Sequence, residues 1–231
     1  NQAEYEDVPG MDRFYVEFED NFRGSFEDIT ARLTVYLPYL MRFSNDSSAT
    51  VIDIGCGRGE WLRLLQQNAI QAVGIDMNSA MVDACKEQGL TAYCLDAIAY
   101  LRQQPEASLA AITGFHIIEH LPFKLLLSLF DAALRALLPD GLIIFESPNP
   151  ENLAVGAFNF YFDPTHLNPV VPAVAQFMAK QRGFAKADIL RLHPYPDDFK
   201  VPEDSELARQ FNAAFYGPQD FAVIAWKSNG N

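Results

Sequence analysis

The sequence predicts an α/β protein built on a doubly wound, mostly parallel sheet, and three observations predict it. Short apolar strand candidates alternate with helix candidates from residue 50 onward. These strands are apolar on both faces and bounded by turn residues, as buried parallel strands are. One of them runs straight into a glycine loop, Val51-Ile52-Asp53-Ile54-Gly55-Cys56-Gly57-Arg58-Gly59, and the next ends on Asp76. That arrangement holds a nucleoside-bearing ligand at the edge of a doubly wound sheet.

The elements follow in order. Residues 1–10, rich in Asn, Glu and Asp, are expected to form a loose entry arm. From Met11 to Met41, Phe14, Phe18, Phe22, Ile29, Leu33, Tyr36, Leu37 and Leu40 recur at helical spacing. Gly24-Ser25 separates two helices there, with Ser25 as the cap of the second. A polar loop at 44–50 leads to strands at 50–54, 72–76, 91–95, 109–115 and 141–147. Helices at 59–68, 78–88, 96–103 and 122–138 lie between and after them. Pro122 starts the last of these, and Pro139-Asp140-Gly141 ends it. A helix at 170–182, a strand at 187–193, a helix at 203–215 and a strand at 220–227 complete seven strands. The chain reads as one domain, with a helical extension (1–45), a ligand-binding core (46–147), a lid (148–170) and the C-terminal part of the sheet (171–231).

The chain has 231 residues, 49% of them hydrophobic, which suffices for one large core and excludes a disordered protein. The net charge of -13 repels phosphate backbones and argues against nucleic acid as a partner. Three cysteines, Cys56, Cys85 and Cys94, show no paired spacing, so neither a disulfide framework nor a zinc knuckle is expected. A reducing, cytoplasmic setting is the expectation. No apolar run approaches the length of a membrane span, and no signal peptide is visible. The first residue is Asn1 rather than Met, so excision from a longer polypeptide is expected.

A strand that ends in glycines lets the backbone approach a ligand, and the next helix aims free N–H groups at it. The order here is Asp-x-Gly-x-Gly-x-Gly, not the Gly-x-Gly-x-x-Gly of dinucleotide sites. A carboxylate at Asp76 can accept two ribose hydroxyls. Asp96, before Ala97, can cap the helix that follows as well as reach a ligand. All four histidines, His116, His120, His166 and His193, fall at the sheet edge where ligands bind. Glu119 lies among them in His116-Ile117-Ile118-Glu119-His120. Imidazole accepts protons near neutral pH, and His120 and His116 rank ahead of His166 for that task. The stretch from Glu146 to Pro169 carries prolines, Phe158, Phe160, Tyr161, Phe162, Asp163, Thr165 and Asn168. It reads as a lid over an acceptor, or as a satellite core beneath the N-terminal helices.

The glycine stretch resembles motif I of the class I S-adenosylmethionine-dependent methyltransferases. Ala110 to Pro122 resembles their motif IV, and Leu138-Pro139-Asp140-Gly141-Leu142-Ile143-Ile144 their following turn and fifth strand, with Asp140 replacing a glycine. The resemblance implies a Rossmann-like seven-stranded sheet with its last strand antiparallel, and S-adenosylmethionine as cofactor. It implies donor binding by Asp53, Gly55, Cys56, Gly57, Arg58, Asp76, Met77, Asp96, Ala97, Phe115 and Arg23. Asp53 would face the donor's ammonium, Arg58 or Arg23 its carboxylate, and Asp96 with the Ala97 N–H its adenine. Methyl transfer is an in-line displacement in which the protein aligns the acceptor and takes up a hydroxyl proton. His120, His116, Glu119 and His166 are the candidates for that catalytic site.

His116-x-x-Glu119-His120 is similar to the Glu-x-x-Glu-His of ubiquinone-pathway O-methyltransferases and small-RNA 2′-O-methyltransferases, which use a divalent metal. Here His116 replaces the first glutamate, and no metal is assigned; such a set would suit zinc or manganese better than magnesium. A wider set is Phe18-Glu19-Asp20-x-Phe22-Arg23-Gly24-Ser25, Gly57-Arg58-Gly59-Glu60-Trp61, Phe115-His116-x-x-Glu119-His120-Leu121-Pro122-Phe123 and Tyr161-Phe162-Asp163-Pro164-Thr165-His166. It resembles bacterial methyltransferase domains beside or fused to glycosyltransferases in O-antigen and surface-polysaccharide assembly. That implies methylation of a saccharide oxygen, with a glycosyltransferase as partner. The alternatives are a small-molecule O-methyltransferase of the ubiquinone-pathway type and a non-catalytic donor-binding scaffold. The glycine order and Asp96 disfavour a nicotinamide-dependent oxidoreductase.

Overall fold

The structure is a computed structural model that describes residues 10–230, with Asp20 described by its backbone alone. The expected entry arm at residues 1–9 lies outside the described residues. The strands are β1 (Val51–Ile54), β2 (Ala72–Asp76), β3 (Ala92–Cys94), β4 (Leu109–Phe115), β5 (Leu137–Pro148), β6 (Lys186–Pro194) and β7 (Pro218–Trp226). They form one sheet of order β3-β2-β1-β4-β5-β7-β6. Neighbours from β3 to β5 pair in parallel, and β7 runs antiparallel to both β5 and β6. The expected seven-stranded, doubly wound sheet is therefore the observed one.

The helices are α1 (Met11–Phe22), α2 (Phe26–Leu33), α3 (Leu37–Leu40), α4 (Glu60–Gln67), α5 (Ser79–Glu87), α6 (Ala97–Gln103), α7 (Phe123–Ala136), α8 (Leu153–Ala157), α9 (Pro172–Gln181) and α10 (Glu206–Phe215). Among the described residues no helix is long and apolar enough to cross a membrane. Ser25 caps α2 as expected, its hydroxyl accepting the Asp28 N–H at 3.1 Å. The boundary between α7 and β5 differs most from the sequence expectation. Helix α7 stops at Ala136 and β5 begins at once, because buried Leu137 already pairs with Leu109. The register then shifts before Ala111 pairs with Leu142. Asp140 takes a φ of 60° in this irregularity, a left-handed conformation that Asp tolerates.

Alternation along the strands divides the core between the two sheet faces. Ile52, Ile112 and Ile143 join Phe130, Phe145 and Phe184 on one face. Val51, Ala111 and Ile144 join Tyr36, Leu40 and Trp61 on the other. Trp61 packs edge-on to Phe115, with ring centroids 5.4 Å apart, and its Nε1–H donates to Thr113 Oγ1 at 3.1 Å. Trp61→Ala is expected to cost about 3–5 kcal/mol, through lost burial and the cavity left behind. Urea unfolding checks this, and a midpoint lowered by less than about 1 kcal/mol equivalent contradicts it.

Helix α1 spans the carboxyl edge of the sheet. At one end Asp12 accepts hydrogen bonds from the Ser79 N–H (3.1 Å) and hydroxyl (2.8 Å) at the start of α5. Further along, the Tyr15 hydroxyl donates to Asp163 Oδ2 at 2.7 Å. The helix thus links the wall of one cavity to a segment that lines another.

Candidate active site

The first cavity, of about 580 Å³, opens at the carboxyl ends of β1, β2 and β4 beneath α1. Gly55, Gly57, Asp76, Met77, Asp96, Ala97, Phe115 and Arg23 all line it. Asp76 ties two loops together: its Oδ2 accepts the Gly57 N–H at 2.9 Å and its Oδ1 the Asn78 N–H at 2.8 Å. Burial raises the Asp76 carboxyl above its ordinary pKa, and these two N–H bonds oppose the shift. Each carboxylate oxygen keeps further acceptor capacity for a ligand hydroxyl. Asp96 caps α6, accepting the Ala99 N–H at 2.7 Å, while it also lines the cavity. Gly57 holds a φ of 50°, and Gly59, at 88°, turns into the core. A Cβ on Gly59 would lie 2.7 Å from Leu90 and 2.9 Å from Cys85.

Three residues named from the sequence present no side chain to this cavity. Asp53 is 2% exposed, and its Oδ1 accepts the Thr113 hydroxyl at 2.8 Å. Buried Cys56 packs against Gly74 within the apolar cluster that holds Leu62, Val82 and Cys85. Arg58 points to Glu60 Oε1 (2.8 Å from Nε) and to the Gly24 carbonyl (3.1 Å from Nη2). The alternation of β1 and the tight loop turn these side chains away from the cavity. Arg23 instead lines both cavities, its Nη1 at 2.9 Å from Glu19 and its Nη2 donating to the Phe115 carbonyl at 3.3 Å.

Burial pushes the Asp53 pKa up to about 8, against the opposing Thr113 hydrogen bond. The folded state then binds more protons than the unfolded chain between the ordinary carboxylate pKa and about 8. This residue's contribution to stability therefore falls as pH rises through that window. Asp53→Asn is expected to flatten the fall, so its stability relative to the parent should increase from pH 5 to pH 8. Denaturation midpoints at those two values test this, and parallel pH profiles contradict it.

The second cavity, of about 260 Å³, lies among α1, α2, the ends of β4, β5 and β7, and the segment after α8. Tyr15, Glu19, Arg23, Phe115, His116 and His120 line both cavities, which therefore meet at these residues. His116 sits just beyond β4 in the left-handed region, at a φ of 56°. Its ring lies 3.4 Å from Glu119 Oε1, 3.2 Å from Glu146 Oε1 and 3.7 Å from Asp220 Oδ1. Burial alone would lower its pKa, but the carboxylates outweigh burial and push it up to about 10. His116 is thus an imidazolium near neutral pH, which corrects its place among the proton acceptors. The cluster extends outward: the Tyr36 hydroxyl donates to Glu146, and His193 Nδ1 lies 2.9 Å from Asp220 Oδ2. So His193 stands at the expected edge but behind Asp220.

His120 has the opposite electrostatics. Burial lowers its pKa, the Glu119 charge opposes this, and His166 adds to the lowering. The His120 and His166 ring centroids are 4.7 Å apart. His166 Nδ1 donates to the Phe160 carbonyl at 2.6 Å, and its Nε2 lies 3.8 Å from Glu119 Oε1 and 3.9 Å from Asp163 Oδ2. Glu119 is 1% exposed, and neither carboxylate oxygen has a hydrogen-bond partner among the described residues. Its 3.4 Å approach to His116 is an ionic contact rather than an aligned hydrogen bond. One ligand atom from each of Glu119, His120 and His166 lies within 4.8 Å of the others. A carboxylate and two imidazoles so placed fit a divalent cation in donor type and number.

The sequence reading did not single out Tyr15, Asn78, Glu146, Thr165 or Asp220 for the site. Glu146 and Thr165 stood only within longer stretches. Asn78 directly follows Met77, while Tyr15 on α1 and Asp220 on β7 reach the site through long-range packing that local spacing does not reveal.

Comparison with known proteins gives these cavities a family. A family model described as a methyltransferase domain matches residues 27–188. The crystal structure of a SAM-dependent methyltransferase from Archaeoglobus fulgidus superposes with a TM-score of 0.85 at 35% identity, covering 93% of this chain and all of that one. A Haemonchus contortus phosphoethanolamine N-methyltransferase, solved with S-adenosyl-L-methionine, shares the fold at a TM-score of 0.62 and 17% identity, covering 93% of this chain and 60% of its own. A ubiquinone biosynthesis O-methyltransferase of Actinobacillus pleuropneumoniae is 29% identical over 136 residues, 54% of this chain and 57% of that protein. The cofactor is S-adenosylmethionine. The chain belongs to the methyltransferase-domain family and is a class I S-adenosylmethionine-dependent methyltransferase.

Proposed function

We propose that this enzyme methylates a hydroxyl oxygen of a saccharide or glycan intermediate in bacterial surface-polysaccharide biosynthesis, in the cytoplasm and beside or fused to a glycosyltransferase. The observation that carries the reading is a neutral His120 where the two cavities meet, next to a His116 held cationic. The bound donor supplies an activated methyl group. Asp76 accepts its ribose hydroxyls, Asp96 and Ala97 contact its adenine, and Gly55, Gly57 and Met77 border it. Arg23 takes its carboxylate. His120 accepts the acceptor's hydroxyl proton, and His116 fixes a positive charge beside the reacting oxygen.

The acceptor cavity suits a neutral polyol. Glu19 lines it and carries a buried, unpartnered Oε2, an acceptor suited to a hydroxyl donor. Glu19, Glu146, Asp163 and Asp220 face the cations Arg23, Arg32 and His116 on its wall, while Phe18, Phe22 and Phe162 offer apolar surface beside Asn159 and Gln219. Residues 148–170 act as the lid over this cavity. The free cysteines Cys56, Cys85 and Cys94 suit a reducing compartment. The test uses S-adenosylmethionine with a radiolabelled methyl group and a panel of neutral oligosaccharides and glycosides, with nucleotide sugars and a catechol alongside. Label is expected in a saccharide. Label in a catechol alone rejects the saccharide.

Glu119 favours a second reading, a small-molecule O-methyltransferase of the ubiquinone-pathway type. Its unpartnered carboxylate, with His120 and His166, would hold a divalent cation that acidifies an acceptor hydroxyl. Loss of turnover after chelation, restored by manganese, supports this reading, and chelator-insensitive turnover removes it.

A further inference from the structure

We propose that Asp163 and Thr165 are positioning residues that hold His120 as its Nδ1–H tautomer, so that Nε2 carries the lone pair offered to the acceptor. The inference rests on the methyl-transfer reading above, but the tautomer can be measured without any acceptor.

Thr165 Oγ1 lies 2.6 Å from Asp163 Oδ1 and 2.9 Å from His120 Nδ1, and it has a single hydroxyl proton. An ionised carboxylate only accepts. Asp163 accepts three hydrogen bonds, from the Thr165 hydroxyl, the Thr165 N–H and the Tyr15 hydroxyl, as an ionised carboxylate does. The hydroxyl proton therefore goes to Asp163. The oxygen's lone pair then accepts from His120, which places the ring proton on Nδ1. The hydrogen bond at one ring nitrogen thereby sets the state of the other, as an orienting acid does behind a catalytic histidine.

The clamp is braced on three sides. Asp163 Oδ1 also accepts the Thr165 N–H at 2.8 Å, closing a local turn. Asp163 Oδ2 accepts the Tyr15 hydroxyl of α1 at 2.7 Å. The Leu167 N–H donates to the Glu119 carbonyl at 3.0 Å, which docks the segment against the turn that carries His120. His120 lines both cavities, and Thr165 is its partner, through the hydroxyl at 2.9 Å and through a backbone hydrogen bond. Imidazole free in water prefers its proton on Nε2, so without the clamp the lone pair would lie on the nitrogen facing Thr165.

Long-range proton–nitrogen NMR on protein labelled with nitrogen-15 histidine tests this at neutral pH without any acceptor. His120→Gln identifies the signals. The wild-type ring is expected to show a protonated Nδ1 and a bare Nε2. Thr165→Val should move the ring mostly to the Nε2–H form, and Thr165→Ser should keep the wild-type pattern. Asp163→Ala gives an independent check should the valine variant fail to fold. With no acceptor left at Oδ1 the Thr165 hydroxyl is free to donate to Nδ1, and His120 should shift toward Nε2–H. In turnover, Thr165→Val is expected to lower kcat roughly 10- to 100-fold with KM for S-adenosylmethionine unchanged. A wild-type His120 found as Nε2–H, or a tautomer indifferent to both Thr165→Val and Asp163→Ala, overturns the clamp. An intact tautomer pattern combined with full turnover in His120→Ala would instead overturn the base assignment and leave the clamp standing.

Discussion

Replacing Asp76 with alanine is expected to weaken S-adenosylmethionine binding by roughly 100-fold or more. A hydrogen bond to a charged group contributes about 1.5–3 kcal/mol, and each 1.4 kcal/mol is about tenfold in affinity. Two ribose hydroxyls on one carboxylate reach that loss without any other effect. A second loss adds to it, because the same carboxylate holds the Gly57 and Asn78 N–H groups at 2.9 and 2.8 Å. The alanine variant frees both donors and loosens the glycine loop. Asp76→Asn keeps one acceptor oxygen and should fall between the alanine variant and the parent. Calorimetry with S-adenosylmethionine and its demethylated product, with NAD as control, measures all three. Unchanged affinity in Asp76→Ala would show that the donor lies elsewhere.

Replacing His120 with alanine is expected to do the reverse: donor affinity stays within about threefold while turnover falls by roughly 10²–10⁴, the range of a positioned general base. The pH dependence carries a second expectation. Burial lowers the His120 pKa below its ordinary value, so the neutral, proton-accepting form is already dominant at neutral pH. Turnover should rise with pH through that lowered pKa and stay level above it. His116 is pushed up to about 10 by its carboxylate neighbours, so it remains cationic across the same range. An activity limb near the ordinary imidazole value that persists in His120→Ala would point to a different base.

The sequence carries the parts of this site whose chemistry is local. The glycine loop, Asp76 and Asp96 each stand at or just beyond the end of a strand, and all but Gly59 and the motif's inward-turned side chains reach the donor cavity. Asp53, Cys56 and Arg58 sit in the same motif, yet strand alternation and the tight loop send their side chains elsewhere. Spacing alone does not distinguish these two groups. The charge of His116 was also hidden, because it depends on Glu146 at the end of β5 and on Asp220 in the antiparallel β7. Ordering of β7 between β5 and β6 brings Asp220 there, and no local pattern near His116 announces it. The contact between Tyr15 and Asp163 joins residues 148 positions apart. The early stop of α7 reflects tertiary pairing of Leu137 with Leu109 over local helix pattern.

The central claim is transfer of a methyl group to a hydroxyl oxygen with His120 as the proton acceptor. It is tested most directly by carbon-13 NMR of the product formed from S-adenosylmethionine labelled in its methyl group and an active saccharide acceptor. The account predicts an O-methyl signal on the saccharide that His120→Ala reduces by two orders of magnitude or more, about the lower bound for a general base. An N-methyl or C-methyl product, or an O-methyl product formed at full rate by His120→Ala, would contradict it.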